Sequence, residues 1–563
     1  VPDRRPIRTP GRLRRRIRPG LLGIPLAVLA TLLVISGCAI QVRSEPDPTI
    51  PKSTLSIAGE STASSLGRNF SPFLATNRRL GTYYIYEPLA IVNGLNGELS
   101  PWLADSWTQP DARTIVFHVR DGVTWSDGVP FTAADVVFTF NLLKTYPALD
   151  SGGSWQHLTS VRADGDRVIM ALKTADAPAL NIVAQTLMVP EHIWSQQAHP
   201  DTWDNPHPIG TGPFVLKNFA LRQYTLDRNP RYWKADKIKI GQVLVSSTAS
   251  DLDIVTKGYD WAYAFVSDVD HVWKGASPHN RYWFPPAGSV TFLPNLTKKP
   301  FDDLDVRRGI SRALDRSKIG STASEGTMQG SGQTGLVLPN QQAWLNPDIP
   351  NRGIVEQDRS AALKAFAKAG YSLQDGKLVD KSGRQLTFSL EVPNGYSDWL
   401  RAAQEVVKQL GAIGIKVKLL QPQPAAQQLD LNNGNFEAAI ASSGGADLYT
   451  AFNNTIGAEF YRPVGKAASG NFERYRDDHA TKLLAELKQT TDPARQKQLG
   501  YQLQQIFYDD LPMINLYYAG LWGLFSDAKF TGWPTAQDPY AAPQNYSSAA
   551  LMIFSHLTPT GAN

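Results

Sequence analysis

Residues 113–143 read RTIVFHVRDGVTWSDGVPFTAADVVFTFNLL. Ile115, Phe117 and Val119 alternate with more polar neighbours, Asp121-Gly122 supplies a turn, and Val123 and Trp125 resume the alternation, so a β-hairpin is expected. After a second turn at Ser126-Asp127-Gly128, Thr132 stands as a helix N-cap with Asp135 three residues on, a variant of the capping box. Val136, Phe140 and Leu143 then fall on one helical face. Strand, turn and amphipathic helix in immediate succession place the chain in the α/β class.

Toward the C-terminus the same alternation recurs. Trp399, Ala403, Val406 and Leu410 follow helical spacing, and after Gly411-Ala412-Ile413-Gly414 the stretch Ile415–Leu419 alternates as a strand. Asp492-Pro493 is a helix start, with Leu499, Leu503, Ile506 and Phe507 as its buried face. MINLYYAGLWGLF (513–525) is expected to be a strand.

Toward the N-terminus the first twenty residues hold eight arginines against Asp3, and the apolar run Leu21–Ile35 follows. That run is short of the roughly 20 residues a spanning helix needs. A basic start, a short apolar stretch and small residues behind it describe a secretory signal, expected over residues 1–37. Ile35-Ser36-Gly37-Cys38 resembles the lipobox of bacterial lipoproteins. That resemblance implies cleavage before Cys38, the one cysteine of the 563 residues, and lipid attachment to it. Residues 38–53, polar and proline-rich, form the expected tether.

Removing residues 1–37 takes away eight arginines and one aspartate, and the formal net charge falls from +5 to −2. The expected mature chain therefore lacks the basic footprint of a nucleic-acid binder. With a single cysteine it has no internal disulfide, and its length calls for two or more lobes with sizeable cores.

From residue 86 onward a series of motifs comes in order: YEPLA (86–90), PWLADSW (101–107), VRDGVTWSDGVPFTAADVVFTF (119–140), PIGTGPF (208–214) and NPRYW (229–233). PFDDLDVRRGISRALDRSKI (300–319), AFAKAGY (365–371) and LPMINLYY (511–518) complete it. In this order they resemble the large solute-binding proteins of ABC importers, family 5, which take oligopeptides, dipeptides, nickel chelates and oligosaccharides. The resemblance implies a two-lobed periplasmic-binding-protein fold of type II with an extra subdomain in the first lobe. The expected division is lobe I over 54–295, with the subdomain at about 94–209, lobe II over 296–519, and a return to lobe I over 520–563. It also implies a monomer that closes on a ligand by hinge motion and is read by an ABC permease and ATPase complex. Most of the motifs are expected to maintain the fold; Gly210 and Gly212, for instance, serve the backbone.

Ligand-binding candidates are aromatic first, because rings bring large contact area with few torsions to freeze. Trp261, Tyr263 and Phe265 stand at period two in GYDWAYAF, where the family feeds its cleft from the first lobe. Ser442-Ser443-Gly444-Gly445 is poor core material, its glycines admit close approach to main-chain donors, and Asp447 and Tyr449 follow. In the peptide-binding branch an acid near this point pairs with the ligand's α-ammonium, often within a GDPD-like stretch, which this chain lacks. YRPVGKAASGNFERY (461–475) and FTGWPTAQDPYAAP (530–543) are more similar to the oligosaccharide branch, so an oligosaccharide is expected ahead of an oligopeptide, the alternative ligand. Asn69, Phe70, Trp399 and Trp522 complete the candidates.

An envelope hydrolase is the competing class. Neither His-Glu-x-x-His nor Gly-x-Ser-x-Gly occurs. The nine histidines lack metal-ligand spacing, and no phosphate loop is present. Catalytic residues, metal and cofactors are all expected to be none. A receptor coupled to a sensor kinase would use the same clamp.

Overall fold

The structure is a computed structural model, and it describes residues 53–61, 67–74, 79–248 and 250–561. The expected signal, Cys38 and the tether short of residue 53 lie outside the described residues. Among the described residues no helix is long and apolar enough to cross a membrane.

Two large sheets define two lobes. The first has seven strands, in the order Asn280–Trp283, Gly523–Ser526, Trp261–Tyr263, Thr54–Ser61, Gln242–Thr248, Gln223–Arg228, Phe214–Phe219. Its centre is parallel: Thr54–Ser61 lies between Gln242–Thr248 and Trp261–Tyr263, and all three run in one direction. The second has five strands, Lys416–Leu420, Thr387–Glu391, Ala438–Ser443, Pro286–Pro294 and Ile514–Gly520. Thr387–Glu391 and Lys416–Leu420 pair in parallel and are joined by the helix Ser397–Gly411, whose buried residues include Ala403, Val406 and Leu410 of the expected helix–turn–strand unit.

The chain passes from lobe to lobe twice, and both passages interrupt what the sequence presents as continuous strand. Asn280–Trp283 belongs to the first sheet and Pro286–Pro294 to the second, so the crossing sits at residues 284–285 and not at the expected 295. Residues 288–294 are buried on both faces, mostly apolar with Ser289 and Thr291 among them, and no turn marks the change of sheet. MINLYYAGLWGLF is likewise two strands, Ile514–Gly520 and Gly523–Ser526, one in each sheet.

The stretch at 113–143 builds a third, antiparallel sheet of four strands. Thr114–Val119 lies between Ala104–Asp111 and Arg167–Leu172, with Leu158–Asp164 on the far edge. Ile115, Phe117 and Val119 are buried as the alternation requires. The expected hairpin partner is wrong: residues 123–131 form a loop closed by a Thr124–Pro130 bridge, and Trp125 is buried in it. Two closely spaced glycine turns and Pro130 leave no room for a second ladder. The helix Ala133–Thr145 starts as expected; Ala134 N donates to Thr132 Oγ1 (3.3 Å) and Thr132 N to Asp135 Oδ2 (2.9 Å). Such caps contribute about 1 kcal/mol.

The ordered motifs meet at Glu87, which is fully buried. Its carboxyl accepts from Trp102 Nε1 (2.5 Å), Tyr232 OH (3.0 Å) and Trp233 Nε1 (3.3 Å), tying the small sheet to lobe I. Burial pushes this carboxyl up, and its hydrogen-bond donors pull the other way. The glycines of PIGTGPF are there for contact: a Cβ on Gly210 would lie 2.0 Å from Ile85 O, and one on Gly212 2.6 Å from Tyr84 O.

Candidate functional site

Between the lobes lies a cavity of about 810 Å³, within the range of small-molecule sites. Lobe I and its small subdomain contribute Val92, Gly94, Gln156, His157, Asp176, Asn181, Gln185 and Gln544; lobe II contributes Asp447, Tyr449, Asn453, Asn454, Glu459, Phe460, Arg462 and Lys488. Tyr449, Asn453 and Asn454 come from the helix Leu448–Ile456, and Glu459, Phe460 and Arg462 from the segment after it. Asp447 caps it, accepting from Thr450 N at 2.9 Å, and Tyr449 and Asn453 share a face at i, i+4.

Each acid at this wall has at least one partner, although Asp176 Oδ1 is buried with none. Asp176, 4% exposed, receives His157 Nδ1 (2.7 Å) and Lys488 Nζ (3.4 Å) on the same oxygen. Glu459 accepts from Asn453 Nδ2 at 2.5 Å, and Asp447 serves the helix start. Burial first, then the charges of Glu459, Asp176 and Asp447, push the Tyr449 phenol up, so it is a neutral donor at physiological pH. Six carboxamides, Gln156, Asn181, Gln185, Asn453, Asn454 and Gln544, line the same space.

Two contacts here span the cleft. Lys488 reaches Asp176, and Ala177 N donates to Lys488 O at 2.8 Å. Close by, Gly97 (φ +78°) sits so near the other lobe that a Cβ would lie 2.8 Å from Ala446 O. At the opposite end of the cleft Asp268 N donates to Glu325 Oε2 (2.5 Å), and Arg401 lies 3.5 Å from Glu325 and over the Phe265 ring.

Two further cavities adjoin the lobe contact. One, of about 450 Å³, is walled by Gly444, Gly445, Asn454, Ser469 and Glu473, and shares Asn454 and Ser469 with the first. The other, of about 620 Å³, is walled by Tyr263 and Phe265 from lobe I and Tyr396 and Asp398 from lobe II.

The structure thus brings Gly444, Gly445, Asp447, Tyr449, Tyr263 and Phe265 to cavity walls. Trp399 packs edge-on against Tyr396 beside the third cavity, and Trp522 packs against Phe265 (4.8 Å) and Phe284 (5.1 Å) at the second lobe crossing. Phe70 and Trp261 are elsewhere: both are fully buried in the lobe I core. Phe70 packs against Phe219 and Tyr224, and Trp261 donates to Pro543 O at 3.1 Å, so neither ring has a free face. Asn69 is buried and turns the chain by accepting from Ser71 N. The strand at Trp261 ends at Tyr263, which is why the period-two pattern does not carry all three aromatics to one surface.

The profile of the bacterial extracellular solute-binding proteins, family 5, matches residues 98–461. The chain belongs to this family. Among relatives of this solute-binding protein, the oligopeptide-binding protein AppA of Bacillus subtilis is 27% identical over 425 residues, covering 71% of this chain and 74% of AppA. A periplasmic oligopeptide-binding protein of an ABC transporter from Thermotoga maritima superposes with a TM-score of 0.81 at 26% identity, covering 90% of this chain and 99% of that one. Its mannohexaose-bound form gives 0.73 at 25% identity, covering 91% and 100%. The two-lobed fold of this solute-binding protein is that of the family.

Sequence reasoning missed most of the polar wall. Tyr449 and Asn453 at i, i+4 on a helix opened by Asp447 were a usable signal. Asp176 and Lys488 gave none, since each sits in an ordinary polar stretch and their meeting is set by how the lobes face each other.

Proposed function

We propose that this chain is the extracytoplasmic receptor of an ABC importer, held at the membrane by lipid on Cys38, and that it captures a short oligosaccharide between its lobes for delivery to the permease and its ATPase. The observation that carries the ligand class is the wall of the 810 Å³ cavity: six planar carboxamides beside Tyr449 and Phe460. Carboxamides donate and accept in one plane and so match vicinal hydroxyls, while a ring face covers the apolar face of a sugar. The mannohexaose complex of the Thermotoga maritima relative supports the same reading. Binding without chemistry is the proposed mechanism: polar groups preorganised in the cleft give affinity, and the pairs left unmade when the wrong ligand is enclosed give specificity.

A peptide ligand is the second reading. Asp447 brings a carboxylate to the cavity wall, and AppA is named for oligopeptides. A thermal-shift screen of the chain from Cys38 onward tests the choice, using manno-, cello- and chito-oligosaccharides against di- to hexapeptides. A ligand at a hundred times its Kd stabilises the fold by about 2.7 kcal/mol. Peptides shifting the melt while every sugar leaves it unchanged would refute the oligosaccharide reading.

A further inference from the structure

The 450 Å³ cavity has a neutral wall of glycine, alanine, serine, asparagine and apolar residues, and one titratable side chain, Glu473. This glutamate is 1% exposed. Its Oε1 is buried without a hydrogen-bond partner. The neighbouring Arg474 does not pair with it; that guanidinium instead donates to Asn471 O, Phe472 O and Asn432 O. The carboxyl accepts from its own backbone N–H, but a buried charge with one oxygen left unpartnered is costly, and replacing it by a neutral group removes that cost, so a position of this kind opposes stability. The cavity shares Asn454 and Ser469 with the larger one, so the two adjoin and Glu473 lines the extension.

We infer that Glu473 is the acceptor for an ammonium group on the ligand, so that one unit of the bound oligomer carries a primary amine. The inference rests on the proposed capture of an oligomer between the lobes. An amine could come from an amino sugar or from a peptide, and the chemistry at Glu473 is the same for both.

Burial pushes the Glu473 carboxyl up to about 8, with Arg474 the one side-chain charge acting against it. The empty site is therefore mainly protonated at pH 7, and an arriving ammonium displaces that proton into solvent. The raised value also sets the stability profile. The folded state holds its proton above the pH at which the unfolded chain has lost it, so the fold loses stability as pH rises from about 5 to 8.

The test uses Glu473→Gln beside the unaltered protein, with four probes: glucosamine hexamer, its fully N-acetylated counterpart, a free-amine hexapeptide and the same peptide N-acetylated. An amine-bearing probe should bind the unaltered protein about ten- to a hundredfold more tightly than the Gln variant, the value of a charge-assisted hydrogen bond, while its acetylated counterpart is affected less than threefold. Calorimetry at pH 7 in buffers of different ionisation enthalpy should show proton release for the unaltered protein and none for the variant. Glu473→Gln should also melt higher at pH 8, with the gap closing toward pH 5, which shows that the variant folds. If sugars bind and the substitution affects amine and acetyl forms alike, the inference fails and the oligosaccharide reading stands. If only the peptide amine depends on Glu473, the inference stands and the oligosaccharide reading fails. If no amine-bearing probe binds, the inference is overturned.

Discussion

Replacing Lys488 by Met severs the ionic contact between the lobes while leaving the Ala177 N to Lys488 O bond and the His157–Asp176 pair in place. Nζ and Oδ2 are 3.4 Å apart, Asp176 is 4% exposed and Lys488 26%. At an effective permittivity of about 20 the bare attraction is about 5 kcal/mol, and desolvation with loss of lysine rotamers takes back most of it. A coupling of about 1–3 kcal/mol remains, as measured for charge pairs within one network. The two residues belong to different lobes, so that coupling exists only while the lobes touch and biases the clamp toward closure. A ligand that binds between touching lobes should therefore lose about 5- to 150-fold in affinity in Lys488→Met. A cycle with Asp176→Asn isolates the pair from the His157 contact, and titration calorimetry with the best ligand from the screen reads all four proteins. Small-angle scattering of the ligand-free chains gives a second readout, a larger radius of gyration for Lys488→Met. A variant that binds within a factor of two of the unaltered protein, at unchanged radius, would refute the reasoning.

Two other substitutions separate roles that the sequence left together. Trp261→Ala should cost about 3–5 kcal/mol of stability in denaturant unfolding, as removal of a fully buried tryptophan does, while the folded fraction keeps its ligand affinity within twofold. Asp447→Asn keeps an oxygen for the cap to Thr450 N and removes the charge. With Glu473 as the acceptor for a ligand amine, it should change the affinity for a free-amine peptide and for a neutral oligosaccharide alike by less than threefold, measured by calorimetry.

The local grammar of the chain was legible wherever one element decides it. Thr132 and Asp135 mark a helix start because the box needs only four consecutive residues, and Asp492-Pro493 marks another for the same reason: Ala494 N donates to Asp492 Oδ1 at 3.0 Å. What spans distance was not legible. The strand 114–119 pairs with strands 104–111 and 167–172 rather than with its nearest apolar neighbours, since a ladder is chosen by burial across the whole sheet. The two lobe crossings hide inside apolar runs because both sheets ask for the same residues. Aromatics were weighted too heavily as ligand contacts: Phe70 and Trp261 are spent on the lobe I core, and the cavity wall is built instead from asparagine and glutamine, which no periodicity distinguishes from surface.

The central claim, capture of an oligosaccharide between the lobes, is tested most directly by hydrogen exchange with and without a saturating oligosaccharide from the screen. Protection should rise together in residues 177–185 of lobe I and in the helix Leu448–Ile456 of lobe II, and the sugar should be recovered uncleaved. Protection confined to one of the two segments, or absent from both, would contradict it.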